Sequence, residues 1–165
     1  MSEFENYIRD LLAEEPVRRL SSIPCHRGGN FMEHSIFVSY LSYRICKKLG
    51  WDDFAAARGA LLHDLFLYDW RDGTHEGRHG LTHPAVACRN AEELCRTREY
   101  LADLTELEKD IILRHMWPLT PIRPGYRESF VVCIADKLCA AAEATKLYRR
   151  MAVSSAISIM SVNAV

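Results

Sequence analysis

The stretch Gly59 to Trp70, GALLHDLFLYDW, decides the fold, because an adjacent His63-Asp64 pair closes an apolar, small-residue helical run. An imidazole and a carboxylate at the buried end of a helix are costly without partners, since an apolar setting penalises unpaired polar groups. Taken alone, the dipeptide is also an ordinary helix end, with His63 favouring the macrodipole and Asp64 capping the next segment. Other inward-facing His and Asp residues shift the balance towards a metal site: His34, His83, His115 and Asp136.

Working outward, Asp52 or Asp53 can cap the helix that carries FAAARGALLHDL, whose small side chains let neighbouring helices come close, so it is expected to be central. Before it, Asn30 and Glu33 form a capping-box-like start. The helix they open runs to about Lys48, buries Phe37 or Val38, Leu41, Ile45 and Leu49, carries His34 on the same stripe, and ends at Gly50. Residues 2–14 space Phe4, Ile8 and Leu11 or Leu12 as a packing helix, and Pro16 can begin a short second turn. Ser21 to Asn30 is a loop.

Tyr68 to Thr82 is polar, contains three glycines, has no helical period and is expected to form a flap over the site. The glycines at 73, 77 and 80 argue against a helix there, so His75 and His79 are expected to be exposed loop residues. His79 can join an outer coordination shell if the loop folds inward. Thr82-His83-Pro84 reads as a helix start with Pro at the first helical position, running to about Arg98. Thr105 and Glu108 open another helix that lines up Leu107, Ile111 and His115. Trp117 to Tyr126 is a proline-containing loop, and Glu128 to about Tyr148 is helical with Val132, Asp136 and Cys139 on one face. No segment alternates like a strand, so the fold is expected to be all-α.

The 165 residues suit one domain spanning 1–165 with a sizeable core, and 48% apolar and 26% charged residues are ordinary for a globular protein. A formal net charge of −1 provides no bulk attraction to a nucleic-acid duplex or a membrane. The six cysteines form no C-x-x-C and read as reduced, buried thiols of a cytoplasmic protein. Ala152 to Val165 is uncharged, but its 14 residues fall short of the roughly 20 that cross a bilayer. With Val153, Ile157 and Met160 on one face, it reads as a docking helix. Oligomeric state is left open.

Helix bundles build metal sites from side chains on facing helices. Nitrogen and carboxylate ligands suit iron, manganese, cobalt, nickel or zinc. The order His34, His63-Asp64, Asp136, in the contexts EHS, LLHD and IADK, resembles the HD-domain superfamily of metal-dependent phosphohydrolases over residues 25–143. His83 in LTHP and His115 in ILRH fall where dinuclear members carry two further histidines. The likeness is greatest to the HD-fold hydrolases of dinucleoside polyphosphates, and implies an HD-type helical bundle with its metal site between central helices.

By that resemblance two divalent transition metals, iron or manganese, bind per chain, although zinc, cobalt or nickel are compatible. His34, His63, Asp64 and Asp136 would hold one, and His83, His115 and a bridging Asp64 the other. His63 and Asp64 would carry the catalytic role, cleaving a phosphoester or phosphoanhydride of a nucleotide. The sequence departs from many dinuclear relatives at Leu67, where they carry a Lys; Arg71 can supply the charge instead. Arg27 suits bidentate phosphate contact or a solvated loop. Lys137 can reach phosphate or pair with a carboxylate, and Trp117 can stack on a base or belong to the core. Two other functions fit the same ligands: an HD-fold di-iron oxygenase, and a non-catalytic regulatory or binding module stabilised by metal.

Overall fold

The computed structural model describes residues 2–25, 29–69, 71 and 78–144. Among them are seven α-helices: α1 Glu3–Ala13, α2 Glu15–Arg19, α3 Phe31–Leu49, α4 Asp53–Leu62, α5 His79–Arg96, α6 Glu106–Arg114 and α7 Arg127–Ala144. A single 3-10 turn, Leu20–Ser22, comes after α2. The described residues contain no strand, and their only β-type pairing is an isolated antiparallel bridge between Pro24 and Asn30. The all-α expectation holds.

Local chemistry accounts for most helix starts. Ser2 and Glu5 form a reciprocal capping box on α1, and Thr105 and Glu108 form one on α6. The Asn30 side chain accepts from the Glu33 N–H at 2.9 Å to cap α3, and Asp52 accepts from the Ala55 N–H at 2.8 Å to cap α4. Gly50 ends α3 in the left-handed region, at φ 67°, where a Cβ would be strained.

Every residue of α4 from Ala55 to Leu62 is buried, Arg58 included, which marks this small-residue helix as central to the bundle. It packs against α1, α3, α5, α6 and α7. The Ser39 hydroxyl of α3 donates to the Ala57 carbonyl of α4 at 2.6 Å, which the small side chains around it permit. The main core joins Phe4, Ile8, Leu11 and Leu12 of α1 to Leu61, Leu62, Leu65 and Phe66 around the end of α4. Burying each such side chain contributes ~1.5–3 kcal/mol, so the His-Asp pair sits within a well-packed part of the core.

Three expectations need correction. Thr82-His83-Pro84 is not a helix start: α5 begins at His79, with Gly80 inside it and Pro84 in its second turn. Pro84 lacks the N–H that would bond the Gly80 carbonyl, a single missing bond that the helix tolerates near its start. His79 and Gly80, expected in the loop, therefore belong to the helix. Leu49, expected in the core, is 49% exposed because it lies in the last turn of α3, beyond the covering helices. Five of the six cysteines are buried and all six are free thiols, as expected, while Cys25 is half-buried. Arg27, His75, the central part of the 68–82 flap and the 152–165 docking helix lie outside the described residues.

Candidate metal centre

Five helices converge on one buried cluster. His34 comes from the first turn of α3, His63 and Asp64 from the C-terminal end of α4, His83 from α5, His115 from the end of α6, and Asp136 from the middle of α7. His34, His63, Asp64, His83 and His115 are all buried, and the Asp136 side chain is 14% exposed. The structure thus brings all six expected ligands together.

Asp64 divides them into two sets. Its Oδ2 lies 3.1 Å from His63 Nε2 and 3.9 Å from His34 Nε2, while Asp136 Oδ1 lies 3.1 Å from His34 Nε2 and 3.9 Å from His63 Nε2. Its other oxygen, Oδ1, lies 3.2 Å from His83 Nε2 and 3.7 Å from His115 Nε2. The two histidines of that second set bring their Nε2 atoms within 2.8 Å.

Backbone carbonyls fix two of the rings. His63 Nδ1 lies 2.6 Å from the Ala60 carbonyl oxygen, and His115 Nδ1 lies 2.7 Å from that of Ile112. Each carbonyl belongs to the residue three positions back in its own helix, and a carbonyl only accepts, so Nδ1 carries the proton and Nε2 is directed into the cluster. His63 Nε2 is fully buried and makes no hydrogen bond, although Asp64 Oδ2 is only 3.1 Å away. Sequence reasoning missed these two carbonyls. The available signal is the position of each His immediately after a helix, in LLHD and ILRH, where the last-turn carbonyls lack helical partners.

The protonation states of Asp64, Asp136 and His115 suit metal ligation. Burial opposes ionisation of Asp64, but the neighbouring His63 and His83 outweigh it and hold the carboxyl well below its usual range. Burial likewise opposes ionisation of Asp136, yet His34 and His63 bring it down to about 2. Burial, reinforced by His63 and His83, pushes His115 down to about 3, so its imidazole is neutral at ordinary pH. For His63 burial is overcome by Asp64 and Asp136, and its pKa is raised.

The donor set fits a metal. His34, His63 and Asp136 offer donor atoms within 4.8 Å of one another, and so do His63, Asp64 and His115. Metal–ligand bonds of ~2.0–2.2 Å require donors at such spacings. The orphaned His63 Nε2 and two buried carboxylates call for positive charge, which the C-terminal ends of α4 and α6 also favour.

The segment after Asp64 turns sharply, with Leu67 in the left-handed region at φ 61° and the Leu65 carbonyl accepting from the Asn90 side chain at 2.7 Å. Among the expected substrate contacts, Arg71 is exposed and pairs with Asp69 at 2.6 Å, holding that carboxyl down to about 2. Lys137 Nζ donates to the His115 carbonyl at 2.9 Å and the Cys133 carbonyl at 3.3 Å, and lies 3.9 Å from Asp136 Oδ2. The Trp117 ring packs edge-on against Phe130, with centroids 5.6 Å apart. A groove of about 860 Å³, unforeseen in the sequence, runs along α5 between Tyr68, Thr82 and Val86 on one side and Lys109 and Leu113 on the other.

A buried His/Asp cluster between the helices of an all-α bundle is the arrangement of a metal-binding helical domain. The model of the HD-domain family matches residues 31–141, about two thirds of the 165-residue chain, and the chain belongs to that family, a superfamily of metal-dependent phosphohydrolases. No curated protein matches the chain.

Proposed function

We propose that this protein is a metal-dependent phosphohydrolase that cleaves a phosphoester or phosphoanhydride of a nucleotide with two divalent metals, iron or manganese. His34, His63, Asp64 and Asp136 would hold one ion; His83, His115 and Asp64 would hold the other. The observation that carries this reading is Asp64, whose two oxygens face two different histidine sets. A structural metal needs only one closed coordination sphere.

When bound, such metals acidify water and neutralise charge on phosphoryl oxygens. The chain's own residues do the rest. The Ala60 and Ile112 carbonyls hold His63 and His115 in the ligating tautomer. Asp64, kept ionised, would offer one oxygen to each ion, and His63 would bind through Nε2 once its proton is displaced. Arg27, Arg71, Lys137 and Trp117 are proposed to contact substrate, with Arg71 exchanging Asp69 for phosphate. The groove lined by Thr82, the residue before His83, combines apolar Leu81, Ala85, Val86 and Leu113 with charged Arg89, Glu92 and Lys109, a mix suited to the organic part of a nucleotide.

The test is metal content per chain, on protein purified without chelator or a metal-binding tag, followed by a phosphate-release screen across nucleotides. About two equivalents of a first-row transition metal and chelator-sensitive phosphate release are expected. One equivalent or none after anaerobic loading with iron or manganese would overturn the two-metal reading. Oxygen uptake dependent on an organic substrate, without phosphate release, would instead place the chain among di-iron oxygenases. Among the described residues no helix is long and apolar enough to cross a membrane; a cytoplasmic location belongs to the proposal.

A further inference from the structure

Gly59 precedes His63 by one helical turn on α4, and Ile111 precedes His115 by one turn on α6. A Cβ at Gly59 would lie 3.0 Å from Ile111 Cγ2 and 3.1 Å from both its Cβ and its Cδ1. These separations are well inside the ~3.5–4.0 Å optimum for carbon contacts. Ile111 Cβ is fixed to the α6 backbone and its branched side chain is stiff at χ1, so rotation relieves little of the overlap. Gly59 has no positive φ that would require glycine, and glycine inside a helix is disfavoured relative to alanine. Close approach is the reason left for it.

The histidine rings must follow the helices. Each is tied through Nδ1 to a carbonyl of its own last turn, at 2.6 Å for His63 and 2.7 Å for His115, and the ring centroids are 4.8 Å apart. A ring that swung to compensate for parted helices would abandon a buried hydrogen bond, which is expensive. Beside Gly59, Arg58 Nη1 pairs with Glu108 at 3.3 Å, drawing the same two helices together.

We infer that Gly59 is a positioning residue: its missing side chain sets the α4–α6 separation at which His63 and His115 both face the Asp64 carboxylate. The inference rests on the metal-centre reading of the cluster.

Calorimetric titration of Mn(II) into the full, metal-free chain tests it, with circular dichroism and thermal melting as controls. Gly59→Ala is expected to keep its helix content yet bind Mn(II) at least about tenfold more weakly, the scale of loss when the support of a ligand is disturbed. Adding Ile111→Ala, which removes Cγ2 and Cδ1, should return the affinity close to that of the parent. Ile8→Val, in the core of α1, should lower the melting temperature and leave the affinity of the folded protein unchanged, separating positioning from general destabilisation. Parent-like affinity in Gly59→Ala overturns the inference. If Gly59→Ala does not fold, the double variant decides: folding with parent-like affinity upholds the inference, and failure to fold or affinity well below that of Ile111→Ala overturns it. A parent chain that takes up no Mn(II) overturns the metal-centre reading itself.

Discussion

His83 and His115 bring their Nε2 atoms to 2.8 Å inside the bundle, with both rings buried. Two imidazole lone pairs cannot face each other at that distance without a proton or cation between them. His115 already carries its proton on Nδ1, against the Ile112 carbonyl, so its Nε2 is an acceptor. A proton on His83 Nε2 satisfies this contact, and a cation would fit in its place, with the Asp64 carboxylate, whose Oδ1 lies 3.2 Å from His83 Nε2, supplying the countercharge.

Replacing either member should therefore remove the second metal and spare the fold. His83→Ala and His115→Ala are each expected to lower metal content from two equivalents to about one and hydrolysis by more than ~100-fold, with helix content retained. Elemental analysis alongside circular dichroism checks this. Full turnover in the doubly substituted protein would require a mononuclear mechanism.

The ionisation states fix a direction for pH. His115, held at about 3, is neutral and Asp136, at about 2, is ionised throughout the neutral range, whereas the His63 pKa is raised, so a metal binding there would have to displace a proton from His63. Metal binding should release a proton and weaken as pH falls through the His63 transition. Calorimetry in two buffers of different ionisation enthalpy would detect the proton; equal heats would count against it.

Stability of the metal-free chain has its own pH dependence. The folded pKa of His115 is depressed, so the unfolded chain binds the extra proton: the stability it contributes is present above the unfolded value of 6.5 and is lost as pH falls towards 3. Asp136 adds a loss between 3.8 and about 2. The raised pKa of His63 acts oppositely, its contribution fading as pH rises through the folded value. Where the depressed groups dominate, melting temperature in chelator should fall steadily from pH 6.5 to pH 3; a flat profile would refute their burial in the apoprotein.

The helices and the six residues that meet in the cluster are legible because their signals are local. Caps at Asn30, Asp52 and Thr105 mark helix starts, and the apolar period places His34 and His115 inward. The start of α5 was misread because Pro84 looks like a first helical residue, whereas the helix continues a turn upstream and tolerates the missing Gly80 bond. The tilt of the His63 and His115 rings depends on carbonyls three residues back, and the role of Gly59 on a helix 52 positions away at Ile111. Periodicity carries neither kind of relationship. The groove along α5 also needs α6 in place before it exists.

The buried pair Arg58–Glu108 should reveal itself through asymmetry. Arg58 also donates to the Ala102 carbonyl at 2.8 Å, and Glu108 accepts from the Thr105 N–H at 2.8 Å. Arg58→Met leaves a carboxylate buried without its cation and is expected to cost ~3–5 kcal/mol. Arg58→Met with Glu108→Gln should recover part of that loss while the Thr105 cap survives. Urea unfolding of the parent, both single variants and the double variant gives the comparison; additive losses would mean the pair is uncoupled.

Lys137 offers a choice between two roles. Its ammonium caps the C-terminal carbonyl of α6 at His115, from a position next to Asp136, and Cys133 Sγ donates to the Arg114 carbonyl at 3.1 Å beside it. Removing the charge in Lys137→Met frees the last turn of α6 and should cost ~1 kcal/mol of stability, as loss of a cation and hydrogen bond at a helix C-terminus does. If the cap is its main task, metal affinity falls with stability and KM for the nucleotide stays near that of the parent. If it also grips phosphate, KM rises as well and Lys137→Arg restores it. A substitution that changes neither stability, metal affinity nor KM would refute both roles, because the three contacts of this ammonium all end on the chain segments that carry His115 and Asp136.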